Sequence, residues 1–394
     1  MRVPSPIISQ FGGGLFRNPS FGILSTYPPT ACGMATFSTA LADGLIANGA
    51  EVGVVRVADG SPASSKRVIG ELVNGSPRSV AASSELLNRC DVAIVQHEYG
   101  LYGGADGDEV LDVLAGLQIP SVVIAHTILT DPTPHQRSTL VAVAAMADHV
   151  VVMSDAARAR LCSRFDVDPA IVTTIPHGAA IPTSRAPHEP AARPTILTWG
   201  LIGPGKGIER VVDAMVPLHR LPARPRYLVA GQTHPKVLAV NGEAYRHALV
   251  EQASRNGVGA SVFFDAAYRD VASLTALIQS CAVVVLPYDS VDQVTSGVLV
   301  EAIAAGRPVV ATAFPHAVEL LASGAGIVVD RDDPAALVLA LRRVLVEPGL
   351  ADRMAAEASR LAPSMGWSVV AGAYVDLANR LLSESLASES LASV

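Results

Sequence analysis

The sequence predicts an α/β protein built from two doubly wound, Rossmann-like domains that face each other across a cleft. Short apolar runs alternate with helical patterns along the chain, and polar or small residues follow most of these runs. Half of the 394 residues are hydrophobic, which is enough to fill two cores of ordinary size. Four prolines within residues 182–194 mark a connection between two halves of similar length.

The first half, residues 21–182, follows a leader at residues 1–20 that contains several glycines and prolines. Its apolar runs predict strands at residues 21–25, 51–57, 92–95, 121–125, 150–153 and 172–175, and helical patterns lie at residues 36–47, 106–117 and 139–147. In a doubly wound sheet, ligands bind at the edge where the strands end. Gly33, His97, His126 and His177 all follow or end predicted strands and are candidates for such an edge.

The second half, residues 195–362, begins after a linker at residues 183–194 and repeats the same pattern. Strands are predicted at residues 195–199, 226–230, 261–264, 282–286, 309–312 and 326–329, with helices at 207–218, 243–256, 271–280, 334–346 and 350–361. A further helix at residues 363–382 is expected to pack back toward the N-terminal domain. The repetitive end, residues 383–394, is expected to be a flexible tail.

Composition excludes several classes of protein. A net charge of −7 and the lack of a basic run argue against nucleic acid as a partner. No signal-peptide layout or membrane-spanning run is evident, which predicts a cytoplasmic protein and leaves peripheral membrane contact open. The four cysteines form no CxxC pair, and no cluster has zinc-ligand spacing, so we expect neither a cofactor nor a metal.

The loop and helix at residues 288–305 form the central motif of the second half. Thr295 or Ser296 can cap the helix, and Gly306 is placed to end it. A helix N-terminus that follows a strand favours a phosphate group. Glu301 stands roughly 7 Å along this helix, at about 1.5 Å per residue, which is the distance of a ribose from a diphosphate. The alternative is a helix on a sheet with one solvated glutamate.

A second glycine-rich turn, residues 200–207, follows the first strand of this half and opens a helix. Its glycines, among them Gly203, allow backbone amides to approach a ligand, and Lys206 supplies a charge for phosphate oxygens. A P-loop does not fit because Gly207 occupies the position of the magnesium-binding hydroxyl. The alternative is an ordinary Gly-Pro turn with a solvated lysine.

Taken together, these motifs resemble the GT-B retaining glycosyltransferases of family 4, also called glycosyl transferases group 1. The resemblance rests on Gly200 with Lys206-Gly207, on Gln293-x7-Glu301, and on the Gly306-Arg-Pro-Val-Val sequence. It extends over nearly the whole chain through the loop near Gly33, His126-Thr127, Ser154 and Pro176-His-Gly178. The family implies a GT-B architecture, a nucleotide-diphosphate sugar as substrate and no bound metal.

The resemblance assigns roles to individual residues. Lys206 would hold the diphosphate of the donor, and Glu301 would bind the ribose hydroxyls. His126 would face the transferred sugar, so that His126 and Lys206 are the catalytic candidates. The other donor-binding candidates are Gly33, Gly203, Gln293, Thr295, Ser296 and Gly297, of which Thr295, Ser296 and Gly297 would offer backbone amides to phosphate.

Three residues of the first half have two interpretations each. His97 could contact the acceptor or be a hydrogen-bonded histidine at a strand end. Arg137 could meet an acidic acceptor or be a solvated charge, and His177 could belong to the site or simply to a Pro-His-Gly turn.

The sequence departs from the family pattern at two positions. Gln293 replaces the usual glutamate at the start of the E-x7-E pair, and an amide can still exchange hydrogen bonds with sugar hydroxyls. Leu201 replaces the usual arginine, which removes one cation from the diphosphate site. Arg307, Lys236 or His234 could compensate for that loss.

The resemblance therefore implies a retaining transferase that moves a mannose- or glucose-type hexose to a hydroxyl acceptor. The acceptor could be a carbohydrate, a lipid-linked molecule or a small molecule. Three alternatives stay open, and the departures at Gln293 and Leu201 motivate the first. The protein could bind a nucleotide sugar with little or no turnover, or it could be a GT-B sugar-nucleotide epimerase. A phosphorylase of similar fold is the third, although it would normally need a cofactor-binding lysine and a larger chain.

Overall fold

The computed structural model describes residues 18–183 and 193–392, and it confirms an α/β architecture with two parallel sheets. Residues 1–17 of the predicted leader and residues 184–192 of the predicted linker lie outside this part of the chain. Helices cover both faces of each sheet, so that each domain has two hydrophobic core layers.

The N-terminal sheet has seven parallel strands in the order β3-β2-β1-β4-β5-β6-β7. The strands are β1 Ser20–Ser25, β2 Glu51–Val57, β3 Val68–Leu72, β4 Val92–His97, β5 Ser121–Ala125, β6 His149–Val152 and β7 Val172–Thr174. The strand β3, which the sequence pattern did not predict, is a five-residue edge strand that is partly exposed and contains a glycine. The chain leaves β1 in one direction toward β3 and then returns to β4, which makes the β1/β4 edge a topological switch point.

Five helices accompany this sheet: α1 Gly33–Ala47, α2 Pro77–Leu87, α3 Val110–Ala115, α4 Pro134–Met146 and α5 Asp155–Arg164. The helix expected at residues 106–117 is shorter, because Asp106 adopts a positive φ of 52° within a 3-10 turn before α3. The helix expected at residues 139–147 starts one turn earlier, since Thr133 and Gln136 form a reciprocal capping box.

The C-terminal sheet has six parallel strands in the order β10-β9-β8-β11-β12-β13. The strands are β8 Thr195–Trp199, β9 Arg226–Ala230, β10 Val262–Asp265, β11 Val283–Leu286, β12 Val309–Thr312 and β13 Gly326–Val329. The helices are α6 Ile208–Leu218, α7 Pro235–Asn241, α8 Ala244–Arg255, α9 Val271–Ser280, α10 Gly297–Ala304, α11 Pro315–Leu321, α12 Pro334–Val346 and α13 Leu350–Leu361. Here the switch point lies between β8 and β11, so both glycine-rich motifs lie at its edge.

The last helix, α14 Trp367–Ala392, leaves the C-terminal domain and packs on α1. Gly44 of α1 makes this approach possible, because an added Cβ would lie 2.7 Å from the Trp367 carbonyl oxygen. Residues 383–392 continue the helix where the sequence analysis expects a flexible tail. The repeated Ser-Glu-Ser-Leu-Ala contains no glycine or proline, and a helix that is already packed extends without a new nucleus.

The two domains are joined twice where the chain passes between them. Ala179 pairs with Gly366 in an isolated parallel bridge, and the Ala179 N–H donates to the Met365 carbonyl at 2.7 Å. The outward and the returning connections therefore lie side by side. Among the helices of residues 18–183 and 193–392, none has both the length and the apolar character needed to cross a bilayer.

The domains also meet beside the loop that precedes α10. The Ser154 hydroxyl, at the start of α5, donates to the Val294 carbonyl at 2.5 Å. The Glu319 carboxylate of α11 accepts the N–H groups of Asp155 and Ala156, at 3.0 and 2.8 Å. A carboxylate is favourable at a helix N-terminus, where free amides concentrate positive potential. These contacts position the α10 loop against the N-terminal domain.

Candidate active site

The loop after β8 is shaped by glycines that tolerate no side chain. Gly200 has a φ of 119° and Gly207 a φ of 64°, both in the region that favours glycine. A Cβ on Gly207 would lie 1.8 Å from the Pro287 carbonyl oxygen, so the first turn of α6 can pass β11 only with a glycine. This close passage explains why no hydroxyl stands where a P-loop has one.

Lys206 lies at the centre of this loop and is largely buried. Its Nζ is 4.4 Å from the centre of the Tyr288 ring, in a cation–π contact. Burial lowers the pKa of Lys206. Across the described ranges, no carboxylate pairs with this ammonium group. A desolvated cation with only an aromatic face for a partner favours the binding of an anion.

The start of α10 follows the second strand of the switch point. Ser296 is the N-cap, since its side chain accepts the Leu299 N–H at 3.3 Å, and its own N–H donates to His316 Nδ1 at 2.8 Å. The Gln293 amide donates to the Thr295 carbonyl. The first amides of an α-helix have no intrahelical acceptor, so those of Gly297 and the next residue remain available to an anion.

Glu301 extends from α10 toward the end of β8. Its Oε2 accepts the Trp199 indole N–H at 3.1 Å, and burial raises the pKa of its carboxyl. Trp199 was not among the predicted site residues, although it is the last residue of a predicted strand and directly precedes the glycine loop. One bond from an indole fixes the carboxylate and leaves further lone pairs for hydroxyl groups.

His126 lies on the N-terminal side of the site and directly follows β5. Its Nε2 is 2.6 Å from Gln96 Oε1, and the Gln96 amide donates to Ser38 at 2.9 Å. Because an amide oxygen only accepts, this bond assigns the proton to Nε2. Burial lowers the pKa of His126 to about 3, and the ring packs edge-on against Phe37 at 5.1 Å. His126 is therefore a neutral imidazole held in one orientation.

His97 is fully buried at the end of the neighbouring strand β4. In the described part of the chain, neither of its ring nitrogens has a hydrogen-bond partner. Its ring packs edge-on against Tyr99 at 5.2 Å, and burial lowers its pKa to about 4. The structure therefore does not show the hydrogen-bonded strand-end histidine of the alternative interpretation. An unpaired buried imidazole suits a polar ligand or a water molecule.

The other two N-terminal candidates differ in their surroundings. Gly33 is the first residue of α1, and a Cβ there would meet no atom within 4 Å, so open space lies above it. Arg137 is not brought together with the histidines. Its guanidinium lies 4.9 Å from the centre of the Phe165 ring and donates to the Arg164 carbonyl at the end of α5.

Comparisons with known proteins match the chain to two family models and to solved structures. The model for glycosyl transferases group 1 matches residues 181–361, and the model for glycosyltransferase family 4 matches residues 31–181. Sucrose-phosphate synthase from Thermosynechococcus elongatus shares the fold with a TM-score of 0.75 and 19% identity, over 93% of this chain and 99% of that one. The chain belongs to the GT-B glycosyltransferases.

Two further structures share the GT-B fold. Anabaena HepE, solved in complex with UDP-glucose, aligns with a TM-score of 0.67 and 18% identity over 94% of this chain and 100% of its own. A trehalose-phosphate synthase from Burkholderia vietnamiensis aligns with a TM-score of 0.68 and 14% identity over 92% and 100%. No curated protein sequence was found to match this glycosyltransferase.

The residues expected to replace the missing arginine of this GT-B enzyme lie in different places. Arg307 donates to the Cys281 carbonyl at 3.2 Å, at the amino end of β11 and thus at the opposite sheet edge from the loops. The expectation that Arg307 compensates for Leu201 is therefore wrong. His234 is the N-cap of α7, where its Nδ1 accepts the Lys236 N–H at 3.1 Å.

Lys236 reaches across the cleft toward the N-terminal domain. A Cβ on Gly100 would lie 3.6 Å from its Nζ, and its charge interacts with Glu98. Glu98 itself accepts the Thr127 hydroxyl at 2.5 Å, and burial raises the pKa of its carboxyl. Lys236 thus lies opposite a carboxylate of the other domain.

Residues 18–183 and 193–392 contain no group of three or more His, Cys, Asp or Glu side chains that could hold a metal ion. The expectation of a reaction without a metal or another cofactor stays a prediction.

Proposed function

We propose that this glycosyltransferase moves a mannose- or glucose-type hexose from a nucleotide-diphosphate sugar to a hydroxyl group, with retention of anomeric configuration. The acceptor is a carbohydrate, a lipid-linked molecule or a small molecule. One observation carries the proposal: the partly buried ammonium of Lys206 and the N-terminus of α10 occupy the same switch point. Glu301 lies on the same helix, where the proposed function puts the ribose, and it accepts the Trp199 indole N–H.

In the proposed reaction, the bond between the anomeric carbon and the diphosphate oxygen breaks, and its electron pair leaves with the diphosphate. Lys206 and the amides at Gly297 stabilise this developing charge. The acceptor oxygen forms the new bond on the same face, and its proton passes to the departing phosphate oxygen. His126, neutral and oriented by Gln96, offers its unprotonated Nδ1 to a sugar hydroxyl.

The structural relatives support the donor class by analogy of fold. HepE was solved with UDP-glucose, and the two synthases named above act in sugar-phosphate chemistry. At such low identity the analogy does not extend to the base or to the sugar. Within the proposal, UDP-glucose and GDP-mannose are the first donors to test.

A second candidate function is the binding of a nucleotide sugar without turnover. Gln293 favours it, because its amide group is already engaged with the Thr295 carbonyl and its side chain carries no charge. Leu201 favours it as well, because one diphosphate cation of the family pattern is missing. Both functions predict donor binding, and only transfer predicts a glycosylated product.

The decisive experiment is calorimetry or thermal shift with UDP-glucose, GDP-mannose, UDP and GDP, followed by incubation of the bound donor with a panel of acceptors. Transfer predicts a glycosylated product, and proton NMR of its anomeric signal reports retention or inversion. Tight binding without a product on any acceptor would support the second candidate. Conversion of the donor into another nucleotide sugar in the absence of acceptor would identify an epimerase.

A further inference from the structure

His177 of the N-terminal domain lies over the start of α10 in the C-terminal domain. A Cβ on Gly297 would be 2.8 Å from His177 Nε2, so this nitrogen nearly touches the first residue of the helix. The ring is held by Phe37 at 5.1 Å and by Trp367 at 5.7 Å. Glycine at position 297 is what allows the imidazole to come this close. His177 therefore borders the place where the proposed function puts the diphosphate.

One hydrogen bond defines which nitrogen of His177 carries the proton. Nδ1 lies 2.6 Å from the Gly178 carbonyl oxygen, and a carbonyl only accepts, so Nδ1 is protonated. In the neutral ring, Nε2 then presents a lone pair to the N-terminus of α10. A lone pair is compatible with amide hydrogens but repels a phosphate oxygen. The imidazole has to gain a proton before it can donate to an anion at this position.

We propose that His177 takes up a proton from solvent when the diphosphate of a nucleotide sugar binds at α10. The new Nε2–H bond donates to a phosphate oxygen, so that the ring becomes a cation beside the diphosphate. This role rests on the proposed function, and it supplies a charge that Leu201 does not. His177 thus positions the diphosphate, while Lys206 remains the permanent cation.

The electrostatics of the free protein fit this role. Burial lowers the pKa of His177 to about 4, so the ring is neutral near pH 7. The ionisable groups that interact with it are His126 and His316, which burial also keeps neutral, while Phe37 and Trp367 bear no charge. One negative charge at about 4 Å, with an effective dielectric constant of about 20, favours the protonated ring by about a thousandfold. That factor brings its titration close to neutral pH.

Calorimetry with UDP-glucose and GDP-mannose in buffers of different ionisation enthalpy tests the proposal. A nucleotide sugar carries a diphosphate diester, so the probe itself does not titrate near neutral pH. At pH 6.5 we expect uptake of up to one proton per molecule bound by the wild-type protein and none by His177→Gln. His219→Gln is the matched control, since His219 lies at the far end of α6 with its Nδ1 beside the Met215 carbonyl, and it should keep the uptake.

Nitrogen NMR of the imidazole gives a second measurement. The free protein should show a neutral His177 with Nδ1 protonated, and the complex should show both nitrogens protonated. Affinity for the donor should fall about tenfold per pH unit between the titration of the free ring and that of the bound ring and level off above it, and this slope should vanish in His177→Gln. A thermal melt confirms that the variant is folded.

The outcomes separate two failures. Binding without proton uptake, or uptake that persists in His177→Gln, would overturn the role of His177 and leave glycosyl transfer intact. If neither nucleotide sugar binds, the proposed function fails, and the role of His177 fails with it.

Discussion

The two switch points are built in opposite ways, although each places a loop between the central strand of its sheet and a helix. The loop after β1 is held by Arg56, a fully buried side chain that uses all five of its N–H groups. It donates to the Tyr27 carbonyl at 3.2 Å, to Thr30 at 3.2 Å, and to further oxygens of Ser61, Asp59 and Glu71. Within residues 18–183 and 193–392, no side chain anchors the loop after β8 in this way, and its Gly207 packs directly against the Pro287 carbonyl.

The two loops therefore differ in whether their cation is used to hold the loop or is left available to a ligand. Arg56, the cation that holds the first loop, is fully engaged in hydrogen bonds within the fold. That half of the cleft therefore presents neutral histidines and the open space above Gly33. The cation of the second loop, Lys206, rests on an aromatic ring and remains available. One domain therefore offers neutral histidines held in fixed orientations, and the other offers a site for an anion.

Acid should have the largest effect on this comparison, since it charges buried histidines of both domains. Folding lowers the pKa values of His97, His126, His177 and His316 below the unfolded value of 6.5. Below pH 6.5 the unfolded chain binds more protons than the native one, so stability falls as the pH falls toward 4. Each histidine costs about 2 kcal/mol between pH 6.5 and 5.

Urea unfolding at pH 7.5 and pH 5 measures this loss. His97→Phe should lose about 2 kcal/mol less than the wild type over the same interval, by the same linkage. An equal pH dependence in the two proteins would contradict a neutral, buried His97.

Arg56→Met tests the anchor of the first loop. Removing the guanidinium leaves buried carbonyls and carboxylates without donors, and we expect a loss of about 3–5 kcal/mol in the free energy of unfolding. Denaturant titration measures it. Arg67→Met is the control, because Arg67 pairs with Asp43 near the surface and should change stability by less than about 1 kcal/mol. Similar losses for both variants would show that Arg56 is not a special anchor.

Lys206→Ala tests the available cation of the second loop. Turnover at saturating donor should fall about a hundredfold, the usual loss on removing one group that stabilises developing charge. Steady-state kinetics of product formation measure it, with the exposed Lys66→Ala as control. Near-normal turnover would remove Lys206 from the catalytic machinery.

Glu301→Ala should have the smallest effect of the four, and it should act on binding. The donor KM should rise about tenfold through lost hydrogen bonds to the ribose, with a lesser change in kcat. Trp199→Phe, which removes only the indole donor, should shift KM in the same direction by less. An unchanged KM in Glu301→Ala would overturn the ribose assignment.

The sequence predicted most of the fold because most strands are compact apolar runs that are bounded by polar residues, glycine or proline. The exception, β3, is an edge strand whose apolar face is short and broken by a glycine. The N-cap at Ser296 and the helix end at Gly306 were also predictable, because capping depends on neighbours within four residues.

Contacts between distant segments could not be predicted from local patterns. Trp199 meets Glu301 across 102 positions, and His316 meets Ser296 across 20, and neither pairing leaves a periodic signal. Arg307 shows the converse: its position next to the α10 motif in sequence suggested a place in the site, and helix geometry carries it to the opposite sheet edge. The end of the helix at which a residue lies therefore matters as much as its residue type.

The bridge between Ala179 and Gly366 has a mechanical consequence. Two domains joined by adjacent connections are expected to rotate relative to each other about an axis that passes through those connections. In such a rotation the paired backbone would lie near the axis and move least, and displacement would grow with distance from the axis. Contacts far from the axis, such as that of Glu319 with the α5 amides, would then limit how far the cleft closes.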